Sequence, residues 1–305
     1  MGTLAIVGPT ASGKSAVALA VARQLARRNL RVEIVAVDAF TVYRGMDIGT
    51  AKPTAADREV VPHHLVDILD PDEELTVADF QSHARTVIDE VHRRGATPLL
   101  VGGSGLYWRA VVDDLRFPPT DPSTRGRLED RWASDPAAAH AHLATVDPAA
   151  AERIDPANLR RTVRALEVLE LTGEPFSRFN DAWDRFHSRY PDLEVAYLEP
   201  EAATLRERIR ARAEEMVATG LLEEAAALRR TPGGLSRTAA QAIGYAEALA
   251  CLDGDLQAGR LAEAIATRTW RYAKRQRGWF RVDPRCEPTD PDVAVARLTE
   301  AVAPA

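Results

Sequence analysis

The sequence predicts an α/β protein with a parallel sheet core flanked by helices and a helical insertion domain. Three observations support this prediction. Up to residue 103, short apolar runs alternate with segments of helical spacing, the order that parallel strands with right-handed crossovers produce. The stretch 117–194 then has helical patterns and almost no strand pattern. An apolar run at its end restores the strand pattern and is expected to re-enter the sheet.

The predicted core begins close to the amino terminus. Leu4–Val7, Val32–Val37 and Pro98–Val101 are apolar runs typical of buried strands, and Ser15–Arg28 and Val77–Arg94 have the spacing of helices. Ligands of parallel sheets bind at the carboxyl ends of the strands. The residues that follow these three strands are therefore expected to converge on one cleft.

The domain organisation follows from where the strand pattern stops and resumes. Residues 1–116 and 195–305 are predicted to form the sheet core with carboxyl-terminal helices, and 117–194 a helical insertion domain. The remaining predicted elements are a strand at Leu193–Leu198 and helices at Ser123–Ser134, Pro136–Val146, Ala157–Leu171, Ala202–Thr219, Leu221–Arg230, Ala239–Leu252 and Leu261–Arg281. The tail after Asp283 is rich in Pro, Asp and Ala and is expected to be peripheral.

Composition excludes several classes of protein. With 305 residues, 46% of them hydrophobic, the chain can bury a large core. It contains no apolar stretch long enough to span a membrane, and its amino terminus lacks the pattern of a signal peptide, so a cytoplasmic location is expected. The net charge of −6 argues against a uniformly basic coat for nucleic acid but allows a local basic face. Cys251 and Cys286 are expected to be incidental thiols.

A glycine-rich loop follows the first strand and precedes the first helix. It matches G-x-x-x-x-G-K-[ST] and predicts a P-loop-type phosphate site. Its residues are Gly8, Pro9, Thr10, Ala11, Ser12, Gly13, Lys14 and Ser15. The backbone N–H groups and the helix amino terminus attract phosphate, Lys14 adds a point charge, and Ser15 can bind magnesium. The alternative is a turn that only starts a helix, and the motif does not say which bond breaks.

Polar residues also follow the other two strands. Asp38 can act as an acid/base group or as a second magnesium ligand, or it can be a turn-capping residue. Ser104, in the glycine-rich segment Gly102–Tyr107, can hydrogen-bond a phosphate or a substrate, unless this segment is a plain strand-to-helix turn. The segment Val42–Pro53 has the composition of a functional loop. His63 and His64 are adjacent, but no other His or Cys has companion spacing, so a metal site is disfavoured.

The segment Thr267–Arg285 is basic and aromatic, with no acid before Asp283. Its basic residues are Arg268, Arg271, Lys274, Arg275, Arg277, Arg281 and Arg285. Its rings are Trp270, Tyr272, Trp279 and Phe280. Charge attracts nucleic-acid phosphates and rings stack on bases, although an amphipathic helix with aromatics in the core has the same pattern. A second basic group, Arg160, Arg161 and Arg164, is open to the same two interpretations.

Four segments together resemble one family. GPTASGKS, VDAFTVYRGMDIGTAKP, PHHLVDILDP and VGGSGLYWRA are similar to the tRNA dimethylallyltransferases, also called tRNA isopentenyltransferases, of the bacterial type. Downstream, NLRRTVRALEV, QAIGY and AKRQ agree, so the resemblance runs from about Leu4 to Arg281. It implies transfer of a dimethylallyl group from dimethylallyl diphosphate to the exocyclic amine of the adenosine just 3′ of a tRNA anticodon, by a monomeric enzyme that uses magnesium.

The resemblance also assigns roles to residues. Lys14, Asp38, Ser104 and Arg212 are implied to be catalytic, with Asp38 accepting the proton of the amine and Arg212 reaching the diphosphate or the reacting centre. The residues implied to contact the tRNA anticodon stem-loop are Asp38, Ala39, Phe40, Thr41, Ser104, Arg125, Arg160, Arg161, Arg164, Gln241, Gly244, Tyr245, Arg268, Arg271, Lys274 and Arg275.

The chain departs from the family pattern at a few positions. Ala39 stands where the family commonly has Ser, Ser104 where it has Thr, and Gly278 where it often has Thr. Ser104 keeps the hydroxyl, and Ala39 loses one that could position the backbone. Two other functions remain open from the residues alone. One is an ATP-dependent small-molecule kinase of P-loop type, and the other is an RNA-binding ATPase switch.

Overall fold

A computed structural model describes residues 2–180, 183 and 185–302, so Met1 and 303–305, at the ends of the predicted core, lie outside the described residues. So do positions 181, 182 and 184 of the predicted insertion. The chain divides into two compact units, one formed by Met1–Val112 with Ser188–Ala305 and the other by Asp113–His187. The boundaries expected from the sequence, 117 and 194, lie a few residues further along the chain.

The first unit is built on a five-stranded parallel sheet. The strands are β1 (Thr3–Val7), β2 (Val32–Val37), β3 (His63–His64), β4 (Thr97–Gly102) and β5 (Leu193–Tyr197). Their order across the sheet is β3-β2-β4-β1-β5, so β1 lies between β4 and the returning strand β5. The predicted fold class is confirmed. Strand β3 was not predicted, because two polar residues give no hydrophobic pattern.

Fourteen α-helices surround or follow the strands in the described part of the chain. Their bounds are α1 Lys14–Arg27, α2 Ala55–Val60, α3 Val77–Arg93, α4 Gly105–Val112, α5 Pro122–Trp132, α6 Pro136–Val146, α7 Pro148–Arg153, α8 Leu159–Thr172, α9 Ala202–Ala218, α10 Leu221–Arg229, α11 Arg237–Ala240, α12 Tyr245–Asp253, α13 Leu261–Arg281 and α14 Pro291–Glu300.

Alternate residues of each strand are buried on opposite faces of the sheet. On one face Leu4 and Ile6 pack with Val21 and Leu25 of α1 and with Leu298 of α14. On the other face the strands pack against α3 and α4 and against the carboxyl-terminal helices. The expectation of a peripheral tail was therefore wrong, because Ala294, Val295 and Leu298 of α14 are buried in the core.

The helix predicted over Ala239–Leu252 is interrupted. Helix α11 ends at Ala240, and α12 begins only at Tyr245, after Gly244 with φ +98°. A Cβ at Gly244 would lie 3.6 Å from the Cα of Gly49, so glycine suits both the backbone conformation and the close approach. Helical spacing of the apolar residues conceals this break.

The second unit is helical, and its helix starts are encoded locally. Helices α5, α6 and α7 each begin with proline directly after an aspartate, whose carboxylate accepts a hydrogen bond from a backbone N–H in the first turn. Asp121, Asp135 and Asp147 make these caps at 2.7, 2.9 and 3.1 Å. Both residue types are strongly favoured there. The unit has its own core, which includes Leu143, Val163 and other apolar side chains.

In the part of the chain that the structure describes, the helices are too short or too polar to cross a bilayer. Neither Cys251 nor Cys286 takes part in a disulfide in the described part of the chain.

Candidate functional site

The carboxyl ends of β1, β2 and β4 open onto a cavity of about 680 Å³ within the first unit. The phosphate loop, Asp38 and the glycines after β4 all line it, as the order of strands and helices predicted. The long loop at 42–53 contributes Gly49 to Pro53, and α9 and α13 close the remaining sides. The sheet thus brings together residues that are far apart in the sequence.

The phosphate loop has a tightly wound backbone. Gly8 has φ +155°, and a Cβ there would lie 2.4 Å from the carbonyl oxygen of Leu198. Gly13 has φ +94° and precedes the first turn of α1. Ser12 is 2% exposed, and its hydroxyl has no hydrogen-bond partner among the described residues. A backbone of this shape directs N–H groups toward a bound anion.

Two cationic side chains lie in the cavity beside the loop. Lys14 Nζ donates to the carbonyl of Pro9 at 2.7 Å, and Arg212 Nη1 lies 3.4 Å from Thr10 Oγ1. Burial and the charge of Arg212 lower the pKa of Lys14 to about 7, against the opposing charge of Asp38. Burial also lowers the pKa of Arg212. Both groups would be stabilised by a bound anion, because an anion offsets the cost of burying a positive charge.

Asp38 follows β2 and serves the local turn as well as the cavity. Its Oδ1 accepts hydrogen bonds from the backbone N–H of Phe40 at 2.8 Å and of Thr41 at 3.3 Å. This is the turn-capping arrangement considered from the sequence. The carboxylate nevertheless lines the cavity and interacts electrostatically with Lys14 and Arg212. The two interpretations therefore hold together, since the turn fixes the carboxylate where it faces the cavity.

The glycines after β4 are required by close packing. A Cβ at Gly102 would lie 2.3 Å from the carbonyl oxygen of Val37. One at Gly103 would lie 3.0 Å from the carbonyl oxygen of Gly8 and 2.6 Å from Gln276 Nε2. This part of the chain brings the ends of β1, β2 and β4 into contact. Ser104, which is half-buried, hydrogen-bonds with Tyr272, and Tyr272 lines the cavity.

Gln276 of α13 is a site residue that the sequence reasoning missed. It is 4% exposed. Its Oε1 accepts from the backbone N–H of Thr10 at 2.9 Å, and its Nε2 donates to the carbonyl of Gly103 at 2.8 Å. It therefore ties the phosphate loop to the loop after β4. The AKRQ motif contained the signal, but its basic neighbours favoured a solvent-facing interpretation.

Tyr272 lies one helical turn before Gln276 on the same inward face of α13. Burial raises the pKa of Tyr272 to about 12, and the charge of Asp38 adds to this effect, against hydrogen bonds from Ser104 and Gln276. Its hydroxyl is therefore neutral at physiological pH. Tyr272 and Gln276 thus form a polar strip on the inward face of α13, which extends from Ser104 to the phosphate loop.

The loop at 42–53 is held by buried polar contacts. The side chain of Lys52 is 3% exposed, and its Nζ donates to the carbonyl of Tyr43 at 2.7 Å and to carboxylates of Asp47 and Asp67 at 2.6 Å each. Glu224 of α10 accepts from the backbone N–H groups at positions 47 and 48. These contacts fix the loop edge that lines the cavity.

The predicted tRNA contacts between the end of α11 and the start of α12 lie in different environments. Tyr245 is fully buried, and its hydroxyl donates to Glu224 and accepts from the backbone N–H of Gly49 at 3.2 Å. Its side chain supports the loop at 42–53 and does not face solvent, so direct stacking on a base is not available to it. Gly244 is also buried, whereas Gln241 is exposed. The three residues beside Asp38 differ similarly: Thr41 is buried, while Ala39 and Phe40 are half-buried.

The basic residues of α13 fall into two groups. Arg268, Arg277 and Arg281 pair with carboxylates, the first with Glu247 at 2.8 Å and the other two with Glu199. Arg271, Lys274 and Arg275 are exposed and have no carboxylate partner among the described residues, although Arg275 lies 5.6 Å from the ring of Tyr272. Of the rings, Phe280 is buried and Trp279 is 38% exposed. The amphipathic-helix interpretation thus applies to the inward face of α13, and its outward face has the exposed cations expected of a nucleic-acid-binding segment.

The second basic group, Arg160, Arg161 and Arg164 of the helical unit, also contains both paired and unpaired residues. Glu167 is fully buried, and its carboxylate accepts from Arg125 at 2.7 Å and from Arg164 at 2.7 Å. Burial alone would raise the pKa of Glu167, but the hydrogen bonds from the two guanidiniums outweigh it and lower the pKa. Arg160 and Arg161 are exposed and have no carboxylate partner in the described part of the unit.

The adjacent histidines have local partners. His64 Nε2 lies 2.6 Å from Glu33 Oε2, and His63 Nδ1 lies 2.9 Å from the carbonyl oxygen of Val61. Within the described residues, no cluster of three or more His, Cys, Asp or Glu side chains could hold a metal ion by itself.

Comparisons with known proteins point to one family. A family model described as IPP transferase matches residues 41–283. A tRNA dimethylallyltransferase of Kineococcus radiotolerans is 50% identical over 284 residues, covering 92% of this chain and 88% of that protein. The resemblance inferred from the motifs is confirmed, and it extends over most of the chain.

Two solved structures are also similar. The tRNA isopentenylpyrophosphate transferase of Bacillus halodurans has a TM-score of 0.69 and 38% identity, covering 98% of this chain and 94% of that one. A eukaryotic dimethylallyltransferase acting on tRNA has a TM-score of 0.75 and 29% identity, covering 91% of this chain and 69% of that one. The similarity thus includes both the sheet core and the helical part of the sequence.

Proposed function

The chain belongs to the IPP transferase family, and we propose that it is a tRNA dimethylallyltransferase. The reaction moves the dimethylallyl group of dimethylallyl diphosphate to the exocyclic amine of the adenosine 3′-adjacent to a tRNA anticodon. The observation that carries the proposal is the convergence of a phosphate loop, a strand-end carboxylate and buried cations on one cavity, in a chain whose relatives are named for this reaction. The enzyme acts as a monomer in the cytoplasm, where tRNA and a soluble diphosphate are both present.

The phosphate loop binds the diphosphate. Its backbone N–H groups and the amino terminus of α1 favour an anion, and the unpaired hydroxyl of Ser12 adds a donor. Lys14 and Arg212 face the same anion. As the carbon–oxygen bond breaks, negative charge grows on the departing diphosphate, and these preorganised cations stabilise it. This requirement explains why two positive groups are buried close together.

Asp38 accepts the proton of the adenosine amine. The amine nitrogen attacks the first carbon of the dimethylallyl group, the bond from that carbon to the diphosphate oxygen breaks, and the nitrogen gives up one proton to the carboxylate. The turn at 38–41 holds the carboxylate at the cavity wall. Ser104, held with Tyr272, positions the acceptor or the diphosphate.

Magnesium fits this site as an ion brought with the diphosphate. Magnesium prefers oxygen ligands and commonly binds through one or two protein groups and the phosphates of the substrate. Ser15 and Asp38 both line the cavity and offer a hydroxyl and a carboxylate oxygen. Ser15 would hold the ion, with Asp38 as a second oxygen donor. When bound, the ion neutralises charge on the leaving diphosphate.

The tRNA anticodon stem-loop is held by the exposed basic residues. A base in a stacked loop has to leave the stack to react, and single-stranded bases are recognised by stacking and hydrogen bonding in a pocket. Arg271, Lys274 and Arg275 lie on the exposed face of α13, whose inward face lines the cavity. Arg160 and Arg161 offer further phosphate contacts.

The decisive experiment incubates the protein with unmodified tRNA, magnesium and dimethylallyl diphosphate. We expect one five-carbon unit on the adenosine after the anticodon, identified by mass spectrometry of the nucleosides. A parallel reaction replaces the diphosphate by ATP. Rapid ATP turnover without alkylation of the RNA would contradict the proposal and favour the kinase or ATPase interpretations.

Replacing Asp38 tests the proposed base. We expect Asp38→Ala to lower kcat by about a hundredfold or more, because general base catalysis typically contributes that much. The affinity for an anticodon stem-loop RNA should change little, as measured by fluorescence anisotropy. Asp57→Ala, which also removes a cavity-lining carboxylate but one that accepts hydrogen bonds from Thr54 at the start of α2, is the matched control. Wild-type turnover in Asp38→Ala would exclude the assigned role.

A further inference from the structure

Helix α9 carries four arginines, which the structure places in different environments. Arg210 Nε donates to Glu214 at 2.9 Å, and both side chains are exposed. The guanidinium of Arg206 lies 4.6 Å from the centre of the Trp270 ring. Arg208 and Arg212, four residues apart and therefore on one face of the helix, both line the cavity. Arg206 and Arg210 thus have partners away from the cavity, whereas Arg208 and Arg212 line it.

Arg208 reaches the amino terminus of α1. Its Nη1 lies 4.0 Å from the position that a Cβ on Gly13 would take. Gly13 is the residue directly before α1, next to Lys14 in the phosphate loop. The side chain of Arg208 has neither a carboxylate nor a hydrogen-bond partner among the described residues. It is therefore a permanent positive charge that is close to the loop and has no internal role in neutralising an acid.

We propose that Arg208 is a further diphosphate-binding residue, a third cationic side chain beside Lys14 and Arg212. The inference rests on the proposed function, since the anion is the diphosphate of that reaction. A third cation is useful because a diphosphate carries several negative charges, and Arg208 lines the same cavity as Lys14 and Arg212. An arginine stays protonated throughout and offers several donors to phosphate oxygens.

Position favours a small anion over the RNA backbone as the partner of Arg208. The amino terminus of α1 supplies unpaired N–H groups and partial positive charge beside the guanidinium, and both attract the same anion. Arg208 is exposed too, but it lies beside the phosphate loop, whereas the other exposed, unpaired cations of this unit that were predicted to bind RNA lie on the outer face of α13. Binding of RNA by Arg208 is thus the competing outcome, and affinity measurements separate the two.

The test compares Arg208→Gln with Arg210→Gln, which removes the same charge from the same helix at a position paired with an acid. The probe is inorganic pyrophosphate with magnesium, and affinity is measured by isothermal titration calorimetry. We expect about tenfold weaker binding for Arg208→Gln, in line with the loss of one charged hydrogen bond at a partly solvated site. Arg210→Gln should stay within about twofold of the wild type. Arg208→Lys should lie between, since it keeps the charge and loses the planar donor set.

The same variants are then titrated with an anticodon stem-loop RNA, and their thermal unfolding is recorded. Unchanged RNA affinity and unchanged melting temperature, together with the tenfold loss for pyrophosphate, support the proposal. Wild-type pyrophosphate affinity in Arg208→Gln overturns it, and so does a loss confined to RNA binding. Pyrophosphate binding is measured without turnover. Failure of the wild type to alkylate tRNA would therefore reject the proposed function, but the measured effect of Arg208→Gln on pyrophosphate affinity would still be valid.

Discussion

Two helices, one in each unit of the chain, are rich in arginine but differ in the environment of their charges. In α8, Arg164 joins Arg125 in pairing with the fully buried carboxylate of Glu167. Only Arg160 and Arg161, at the start of that helix, remain exposed. In α13, the unpaired cations are interleaved with inward-facing side chains along the middle of the helix. One of the three arginines of α8 thus has a structural role and two are available at the start of the helix, whereas the three unpaired cations of α13 lie along a helix whose inward face lines the cavity.

The comparison shows that counting positive charges does not locate an RNA-binding face. A guanidinium already paired with a buried carboxylate contributes little new attraction for phosphate, and moving it away would leave a buried charge uncompensated. An unpaired, exposed guanidinium contributes its full charge and releases counterions when it meets RNA. Pairing and exposure together, and not composition, separate the two roles.

Removing the buried acid of the second unit should have the largest effect. We expect Glu167→Ala to lower the free energy of unfolding by about 3 kcal/mol, because it leaves Arg125 and Arg164 without their common partner in a partly buried place. Urea unfolding followed by circular dichroism measures the change. Glu170→Ala is the control, since Glu170 pairs with Arg127 at the surface and should cost less than about 1 kcal/mol. Equal effects of the two changes would show that the buried pairings do not support this unit.

Within α13, the inward residue Gln276 should affect stability and anion binding while its outward neighbours affect RNA binding. Gln276→Met keeps the length of the side chain and leaves the N–H of Thr10 and the carbonyl of Gly103 without their partner. We expect a loss of about 2 kcal/mol in unfolding free energy and a higher KM for dimethylallyl diphosphate. The exposed Gln257 provides the control, Gln257→Met. A changed salt dependence of RNA binding in Gln276→Met, with KM unaltered, would contradict the assignment.

The outward face of α13 should dominate the salt dependence of RNA binding. Arg271→Ala combined with Arg275→Ala is expected to weaken the binding of an anticodon stem-loop about tenfold and to reduce the slope of log K against log salt by roughly 1.5. Arg229→Ala combined with Arg260→Ala removes the same charge from two exposed, acid-paired arginines elsewhere. Anisotropy titrations at several salt concentrations compare the pairs. Identical slopes of log K against log salt in both double variants would show that the outward face of α13 does not bind RNA.

The parts of the site that could be predicted from the sequence are those fixed by local chemistry. The phosphate loop, Asp38 and Gly102 each follow an apolar run, and the rule that parallel strands end at the same edge brings them together. The start of α6 at Pro136 was predicted, and that of α5 to within one residue, whereas the short helix α7 was not predicted although Asp147 and Pro148 carry the same local signal.

The remaining features depend on partners distant in the sequence. Glu167 neutralises an arginine 42 residues before it, and Gln276 bonds with Thr10 across 266 residues. Tyr245 lies beneath Gly49 because a break in the helical region turns it inward, and hydrophobic spacing does not reveal that break. In each case the sequence shows the type of the residue, but it does not predict which distant residue is its partner.

Lys14 differs from both the paired and the exposed cations, because it is buried with no carboxylate bonded to it. The pH dependence that it causes should be the smallest of the expected effects. Burial and Arg212 lower the pKa of Lys14 to about 7 in the free protein. Above pH 7 the free amine is mostly neutral, and a bound diphosphate favours its protonated form, so binding takes up a proton and weakens as pH rises. We expect the Kd of dimethylallyl diphosphate, measured by calorimetry without RNA, to increase about fivefold from pH 7 to pH 8. Lys14→Arg keeps its charge over this range and should give a flat profile, whereas a flat profile in the wild type would show that Lys14 is already protonated before the diphosphate binds.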